Sequence, residues 1–142
     1  MKIEQIYTDC LAEAAYYIES NGEAAIIDPL REVDVYIKKA EEDGVVIKYI
    51  FETHFHADFV SGHVSLAAKT GAKIVFGPNA EPSYPAHIAN DGERFMIGQA
   101  SLTALHTPGH TMESTSFLLK NKDGKDEAIF SGDTLFLGDV GR

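Results

Sequence analysis

The stretch Thr53-His54-Phe55-His56-Ala57-Asp58-Phe59 brings two imidazoles and a carboxylate close together in the chain. Residues 45–51 precede it and form an apolar run rich in β-branched side chains, which predicts a buried strand. Residues 60–69 follow it and predict a helix that ends at Gly71. The polar cluster therefore stands where a strand ends and a helix begins, and α/β sheets build their sites at that edge. Imidazole and carboxylate together suit zinc, iron or manganese.

The composition is that of an ordinary globular protein. The chain has 142 residues, of which 44% are hydrophobic and 24% charged, so we expect a single domain, residues 1–142, with one core. A net charge of −10 argues against nucleic acid and against an anionic membrane surface as partners. Cys10 is the single cysteine, which excludes an internal disulfide and favours a reducing cytoplasm. The sequence shows neither a signal-peptide pattern nor an apolar run of membrane-spanning length.

The remaining patterns predict many strands and one further helix. The first three strands form an antiparallel meander, in which Asn21-Gly22 is a hairpin turn. A helix is predicted at 33–42, because Val33, Ile37 and Ala40 recur at helical spacing. Residues 79–92 predict a loop with at most a short helical turn. The predicted strands outside the central one are 1–8, 14–19, 24–28, 73–76, 93–97, 101–106, 114–119 and 128–130.

Two further ligand-type residues occupy the same kind of position as His54. His110 follows a strand and a Pro108-Gly109 turn, and Asp133 follows an apolar strand and Gly132. Three such residues, each just past a strand end, can converge on one edge of a sheet. Two neutral imidazoles and one carboxylate leave coordination positions open, which suits non-haem Fe(II) and is also compatible with catalytic zinc.

Three motifs, in this order, resemble those of the metallo-β-lactamase fold. Residues 53–58 resemble its His-x-His-x-Asp-His signature, residues 106–111 look like its second metal loop, and residues 131–136 look like its third. The resemblance implies an α+β fold, the four-layer αβ/βα sandwich, of which this chain holds the first half and the strands leading to the third loop. A substrate pocket that needs the second half would then be incomplete.

More narrowly, residues 52–63 and 138–142 resemble the persulfide dioxygenase branch of that family, in which bacterial members often carry rhodanese domains. Asp28-Pro29-Leu30-Arg31 also fits that branch. The resemblance implies one Fe(II) per chain and oxidation of a glutathione- or CoA-type persulfide by O2 to sulfite and thiol. Zn(II) in a thioester hydrolase of the glyoxalase II type is the alternative, and a metal-binding half-domain that is inactive alone is a third interpretation.

The same resemblance assigns the ligands, and one departure limits their number. The iron ligands of the branch match His54, His110 and Asp133, which would also be the catalytic residues. Where binuclear zinc hydrolases of the family carry a histidine after the signature Asp, this chain has Phe59, so we expect one metal ion. The remaining motif residues, His56 and Asp58, would orient the ligands by hydrogen bonding.

Other residues carry weaker predictions. Tyr84 and Arg142 could contact the substrate, and His87 could border the entrance to the site. His63 could face the site, but we expect it to cap or pack the helix, and His106 is expected to be structural. A half-sandwich exposes an apolar sheet face, so we expect a homo-oligomer or association with a missing C-terminal half.

Overall fold

A computed structural model describes the chain except for residues 9–12, 54–61, 79, 81, 83, 107–114, 131–134 and 138–142. The described part contains two helices, α1 (Asp34–Asp43) and α2 (His63–Thr70). Its strands are β1 (Lys2–Thr8), β2 (Glu13–Ser20), β3 (Glu23–Ile27), β4 (Val46–Glu52), β5 (Lys73–Phe76), β6 (His87–Ile88), β7 (Arg94–Ile97), β8 (Ala100–His106), β9 (Thr115–Lys120), β10 (Asp126–Phe130) and β11 (Leu135–Leu137).

The strands of the described ranges form two sheets. The first sheet has the order β1-β2-β3-β4-β5-β6 and the second β11-β10-β9-β8-β7. The predicted antiparallel meander is confirmed, because β1, β2 and β3 pair antiparallel. From β3 onwards the first sheet is parallel, with α1 connecting β3 to β4 and α2 connecting β4 to β5. The second sheet is antiparallel in the pairs described.

Alternation along the strands divides the apolar side chains between two core layers. On β3, Ala25 and Ile27 pack into the core between the two sheets, whereas Ala24 and Ile26 pack into the core between the first sheet and the helices. Because successive side chains of a strand point to opposite faces, a strand buried on both faces reads as a continuous apolar run. The order of layers is therefore helices, first sheet, second sheet.

Helix ends follow the glycine pattern that the sequence indicates. α1 ends at Gly44 (φ 67°) and α2 at Gly71 (φ 78°), both in the left-handed conformation that glycine adopts without strain. Val33 and Ala40 are buried as predicted. Tyr36, which the spacing argument left out, is also fully buried and lies on the same face.

One predicted loop is wrong in part. Within 79–92 the residues of β6 pair in parallel with the end of β5, Val75 with His87 and Phe76 with Ile88. Main-chain hydrogen bonds hold such a short edge strand. A stretch rich in proline, asparagine and glycine shows no side-chain pattern from which the strand could be predicted. The other predicted elements agree with the described ones within a few residues. Of the helices in the described ranges, none combines the length and apolar character needed to span a bilayer.

Candidate metal centre

The predicted metal ligands His54, His110 and Asp133 lie outside the described residues, as do His56, Asp58 and Arg142. The residues on either side of the ligand segments are described, so the structure shows where each segment leaves and rejoins the described chain. Segment 54–61 leaves from the end of β4, segment 107–114 joins β8 to β9, and segment 131–134 joins β10 to β11.

These ends lie at one edge shared by the two sheets. The main-chain N–H of Thr115 donates to the main-chain oxygen of Thr53 over 2.9 Å. Thr115 pairs with His106, so both ends of segment 107–114 lie beside the start of segment 54–61. Phe130, the last residue of β10, pairs with Phe117, two residues after Thr115. The predicted convergence of strand ends is therefore present in the described residues, while the ligand roles stay predictions.

A glycine allows the sheets to come this close. Gly77 directly follows β5, and a Cβ atom on it would lie only 1.6 Å from Oγ1 of Thr115. Any side chain at this position would therefore push the two sheets apart. The end of β5 joins the same edge, which brings the loop that contains Tyr84 towards it.

Asp28 fixes the start of the 54–61 segment. Its carboxylate accepts hydrogen bonds from the main-chain N–H of Thr53 over 2.9 Å and from the Thr53 hydroxyl over 2.6 Å. Its own N–H donates to the Phe51 oxygen, and its φ of 51° is a conformation that aspartate tolerates better than most residues. In the sequence, Asp28 stood out only as the end of a predicted strand and as the first residue of the 28–31 motif. A carboxylate at the end of a buried strand is the signal that could have revealed this contact.

The next two residues hold the other end of the same segment. Gly62 donates its N–H to the oxygen of Pro29 over 3.1 Å. A Cβ atom at Gly62 would lie 2.2 Å from the oxygen of Leu30, so only glycine fits against this backbone. Residues 28–30, which we call the anchor segment, thus bind both the residue before 54–61 and the residue after it.

Two buried polar side chains, Glu52 and His63, and the partly buried Tyr84 stand beside these anchors. Oε1 of Glu52 lies 3.6 Å from Nδ1 of His63, and Nε2 of His63 lies 2.5 Å from the Tyr84 hydroxyl. Burial and then the charge of Asp28 raise the pKa of Glu52 well above its ordinary value. Burial and then the Glu52 carboxylate raise the pKa of Tyr84 to about 12. Sequence reasoning missed Glu52, and it expected a packing or structural role for His63.

The remaining residues singled out from the sequence have other neighbours. Nε2 of His87 lies 2.8 Å from Oε2 of Glu93, and the main-chain N–H of His106 donates to the Asp91 carboxylate over 2.9 Å. Tyr84 and His87 also line a groove of about 640 Å³ between α2 and the start of β5. A substrate contact by Tyr84 stays a prediction.

The described geometry fits a metal site of the predicted composition. Three short segments that carry two imidazoles and a carboxylate begin or end within hydrogen-bonding or strand-pairing distance of one another. That donor set suits iron or zinc and leaves coordination positions open.

Comparisons with known proteins agree with this fold. A family model described as the metallo-beta-lactamase superfamily matches residues 8–142. The crystal structure of a metallo-beta-lactamase from Staphylococcus aureus is 38% identical with a TM-score of 0.85, covering 100% of this chain and 46% of that chain. The structure of ETHE1 from Myxococcus xanthus is 30% identical with a TM-score of 0.76, covering 84% of this chain and 54% of that one.

Among curated proteins, the chain is similar to the cytoplasmic hydroxyacylglutathione hydrolase of Arabidopsis thaliana. The two are 33% identical over 147 residues, which cover 100% of this chain and 56% of that protein. Several other similar proteins carry the same enzyme name. This chain spans about half the length of the curated relatives it matches.

Proposed function

Because this chain belongs to the metallo-β-lactamase superfamily, we propose that it is the metal-binding part of a persulfide dioxygenase. One Fe(II) would be held by His54, His110 and Asp133, which are then the catalytic residues. The observation that carries the proposed metal site is that the described residues flanking the three ligand segments lie together at one edge, where Thr53 and Thr115 are hydrogen-bonded.

Two sequence features support iron and dioxygenase chemistry. Phe59 stands where binuclear hydrolases of the family have a histidine, and phenylalanine offers no donor atom to a second metal ion. The resemblance of residues 52–63 and 138–142 to the persulfide dioxygenase branch points in the same direction. We therefore place Fe(II) before Zn(II) as the resident metal.

The substrate proposed is a glutathione- or CoA-type persulfide, together with O2 and water, and the products are sulfite and the parent thiol. Fe(II), when bound, would supply the redox chemistry that allows O2 to react with sulfur. The protein holds the ligands in place: Asp28 fixes the residue before the first ligand segment, and His56 and Asp58 would orient ligands by hydrogen bonding. Arg142 and Tyr84 remain candidate substrate contacts.

A zinc-dependent thioester hydrolase is the second candidate. The observation in its favour is the name hydroxyacylglutathione hydrolase that the Arabidopsis relative and several others carry. Zinc would supply an activated water, with its pKa lowered to about 7, for attack on the thioester. The histidine of the binuclear sites is absent at position 59, and we therefore rank this candidate second.

We also propose that the activity needs a second part of the fold. The relatives are about twice as long as this chain. The second sheet also carries the partly buried apolar side chains of Leu118 and Ile129 on its outer face. That part would come from a second copy in a homo-oligomer or from a C-terminal half; without it the chain would bind metal and stay inactive. We propose the cytoplasm as its compartment, with no nucleic acid or membrane as partner.

The test is metal loading followed by two assays on one sample. The chain is loaded anaerobically with Fe(II) or with Zn(II), the metal content is measured, and each form is given glutathione persulfide or a glutathione thioester. O2 consumption with sulfite release by the iron form alone supports the dioxygenase. Two zinc ions per chain with thioester hydrolysis would replace it by the hydrolase. Turnover by neither form, with one metal bound, supports the inactive half-domain.

A further inference from the structure

Three polar side chains contact one another beside segment 54–61, one from before the segment, one from after it and one from the loop that follows β5. Glu52 is the last residue of β4, and His63 is the first residue of α2. Both side chains are fully shielded from solvent, and the carboxylate lies 3.6 Å from Nδ1 of the imidazole. On the other side of the same ring, Nε2 lies 2.5 Å from the hydroxyl oxygen of Tyr84. A line of polar contacts therefore runs from one end of the segment, through the other end, to the loop after β5.

Aromatic neighbours fix the orientation of the imidazole. The rings of His63 and Phe76 meet edge-on, with centroids 6.0 Å apart and planes at 86°. Tyr84 meets the His63 ring in the same way at 5.2 Å and 88°, and stacks on Phe76 at 15°. With contacts at both ring nitrogens and two aromatic rings beside it, the imidazole is held in one rotamer.

Packing alone does not account for these residue types. Burial of a carboxylate and an imidazole costs free energy that their attraction only partly offsets, and apolar side chains of similar volume would fill the space without that cost. The hydrogen bond between His63 and Tyr84, in contrast, is directional, and the approach of Glu52 to within 3.6 Å of His63 adds an electrostatic contact between the elements that carry them. The arrangement therefore suits a role in geometry better than a role in stability.

We propose that Glu52, His63 and Tyr84 form a positioning chain that sets the geometry of the ligand segment 54–61. Glu52 holds the strand end from which the segment leaves, His63 holds the helix start at which it returns, and Tyr84 holds the His63 ring from outside. The inference rests on the proposed metal site, which the iron and zinc candidates share, and not on the choice between them. It gives Tyr84 a positioning role in addition to the substrate contact predicted from the sequence.

The experiment uses Co(II) as a probe on the full 142-residue chain. The visible absorption of Co(II) reports the number and geometry of its ligands, and competition with a chelator gives its affinity. Tyr84→Phe removes only the hydroxyl that contacts His63. We expect its Co(II) affinity to fall about 10-fold, as for other groups that orient metal ligands, with changed absorption bands.

Tyr17→Phe is the matched control. It removes one hydroxyl from a fully buried tyrosine, the one that donates to the Asp43 carboxylate over 2.8 Å. We expect this variant to bind Co(II) like the parent chain, whatever its loss of thermal stability. A general loosening of the fold would weaken Co(II) binding in both variants, whereas the proposal requires a loss in Tyr84→Phe alone.

Two substitutions of His63 test its contact with Glu52 and its contact with Tyr84 separately. Asparagine places an amide near the position of Nδ1 and keeps the contact with Glu52, whereas glutamine reaches the position of Nε2 and keeps the contact with Tyr84. We expect each variant to retain part of the affinity, and His63→Leu to lose more than either one. Circular dichroism establishes that each variant is folded before its affinity is compared.

The outcomes decide the inference separately from the proposed function. Unchanged Co(II) affinity and absorption in Tyr84→Phe and in both His63 amides would overturn it. Absence of Co(II) binding by the parent chain would also overturn it, together with the metal site. Loss of affinity in Tyr84→Phe but not in Tyr17→Phe supports it, even if the iron-loaded protein consumes no O2 with a persulfide.

Discussion

The main-chain oxygen of Thr53 and the main-chain nitrogen of Thr115 are joined by a hydrogen bond of 2.9 Å. Thr53 directly follows β4 of the first sheet, and Thr115 is the first residue of β9 in the second sheet. The bond therefore ties the two sheets together between the segments that carry His54 and His110. The proposed metal centre spans two sheets, and its ligand distances depend on how the sheets are held against each other.

His110→Ala should abolish binding of Fe(II), because His54 and Asp133 alone form too small a ligand set to hold the ion. His56→Ala should weaken binding by about 10- to 100-fold, since we expect His56 to orient a ligand rather than to bind the metal. His87→Ala is the control, because that ring contacts Glu93. Metal content after dialysis against a chelator measures all three. Complete loss in His56→Ala would make His56 a ligand and overturn the mononuclear assignment.

Asp28→Asn should lower the free energy of unfolding by about 2 kcal/mol, because hydrogen bonds to a charged acceptor are stronger than those to a neutral one. Asparagine is chosen since it tolerates the φ of 51° at this position. Asp34→Asn is the matched control: that side chain is 82% exposed and pairs with Lys69 on the surface. It should change stability by less than about 1 kcal/mol. Equal denaturation midpoints for the two variants would refute the anchoring role of Asp28.

Gly62→Ala should destabilise the protein by about 1–3 kcal/mol through overpacking. The backbone at Gly62 has φ −86°, which alanine adopts freely, so the effect comes from contact with Leu30 and Val33 alone. Ser65→Ala, at an exposed position of the same helix, should stay within about 0.5 kcal/mol of the parent chain. Urea unfolding measures both. An unchanged free energy of unfolding in Gly62→Ala would show that the anchor segment shifts readily to accommodate a methyl group.

Stability at acid pH should depend on Glu23. Its carboxylate accepts a hydrogen bond from the Gly98 N–H over 2.7 Å, and this bond, with a smaller contribution from Lys48, lowers the pKa below its ordinary value of 4.5. A carboxylate with a lowered folded-state pKa stabilises the protein above its unfolded-state pKa, and this contribution is lost as the pH falls through the folded-state value. Acid therefore weakens the link between β3 and the turn after β7.

Glu23→Gln should remove that part of the pH dependence. Its midpoint of thermal unfolding should fall less steeply below pH 4.5 than that of the parent chain. Lys48→Met removes the minor partner only and should change the slope less. If the midpoint of thermal unfolding falls equally steeply with pH in Glu23→Gln and in the parent chain, the acid sensitivity comes from other carboxylates.

Association of the isolated chain should depend on the outer face of the second sheet. Leu118 and Ile129 are cross-strand partners there and are only partly buried. A Leu118→Thr, Ile129→Thr double variant should shift the protein towards monomer in light scattering, since less apolar area is available to a partner. Val46→Thr, at an exposed site on the first sheet, is the control. A monodisperse monomer of the parent chain would contradict this expectation.

Local patterns predicted most of the fold because turns and strands depend mainly on interactions between residues that are close in sequence. Asn21-Gly22 has φ values of 46° and 87°, as the predicted hairpin turn requires. The apolar run at 45–51 became β4 in the interior of the first sheet, and Ile50, Phe51 and Glu52 at its end are buried. Such signals are complete within a few residues and do not depend on the rest of the chain.

The environment of the candidate site could not be predicted in the same way. Asp28 and Thr53 are 25 residues apart, and His63 and Tyr84 are 21 apart, so their contacts exist only after the first sheet has formed. Nothing in the sequence near Glu52 indicates that its carboxylate is buried. The identity of the ligands, in contrast, was predicted from residue types at strand ends, and it remains a prediction, since those residues lie outside the described ranges.

The anchor segment 28–30 holds Thr53 and Gly62 through bonds that involve none of the residues between them. The scaffold therefore bears the entropy cost of bringing Thr53 and Gly62 together, and metal binding need not offset that cost. Residues 54–61 can then be exchanged as a cassette with two fixed attachment points. A segment of the same length with different donor atoms could be grafted between Thr53 and Gly62. The same framework could then bind another metal.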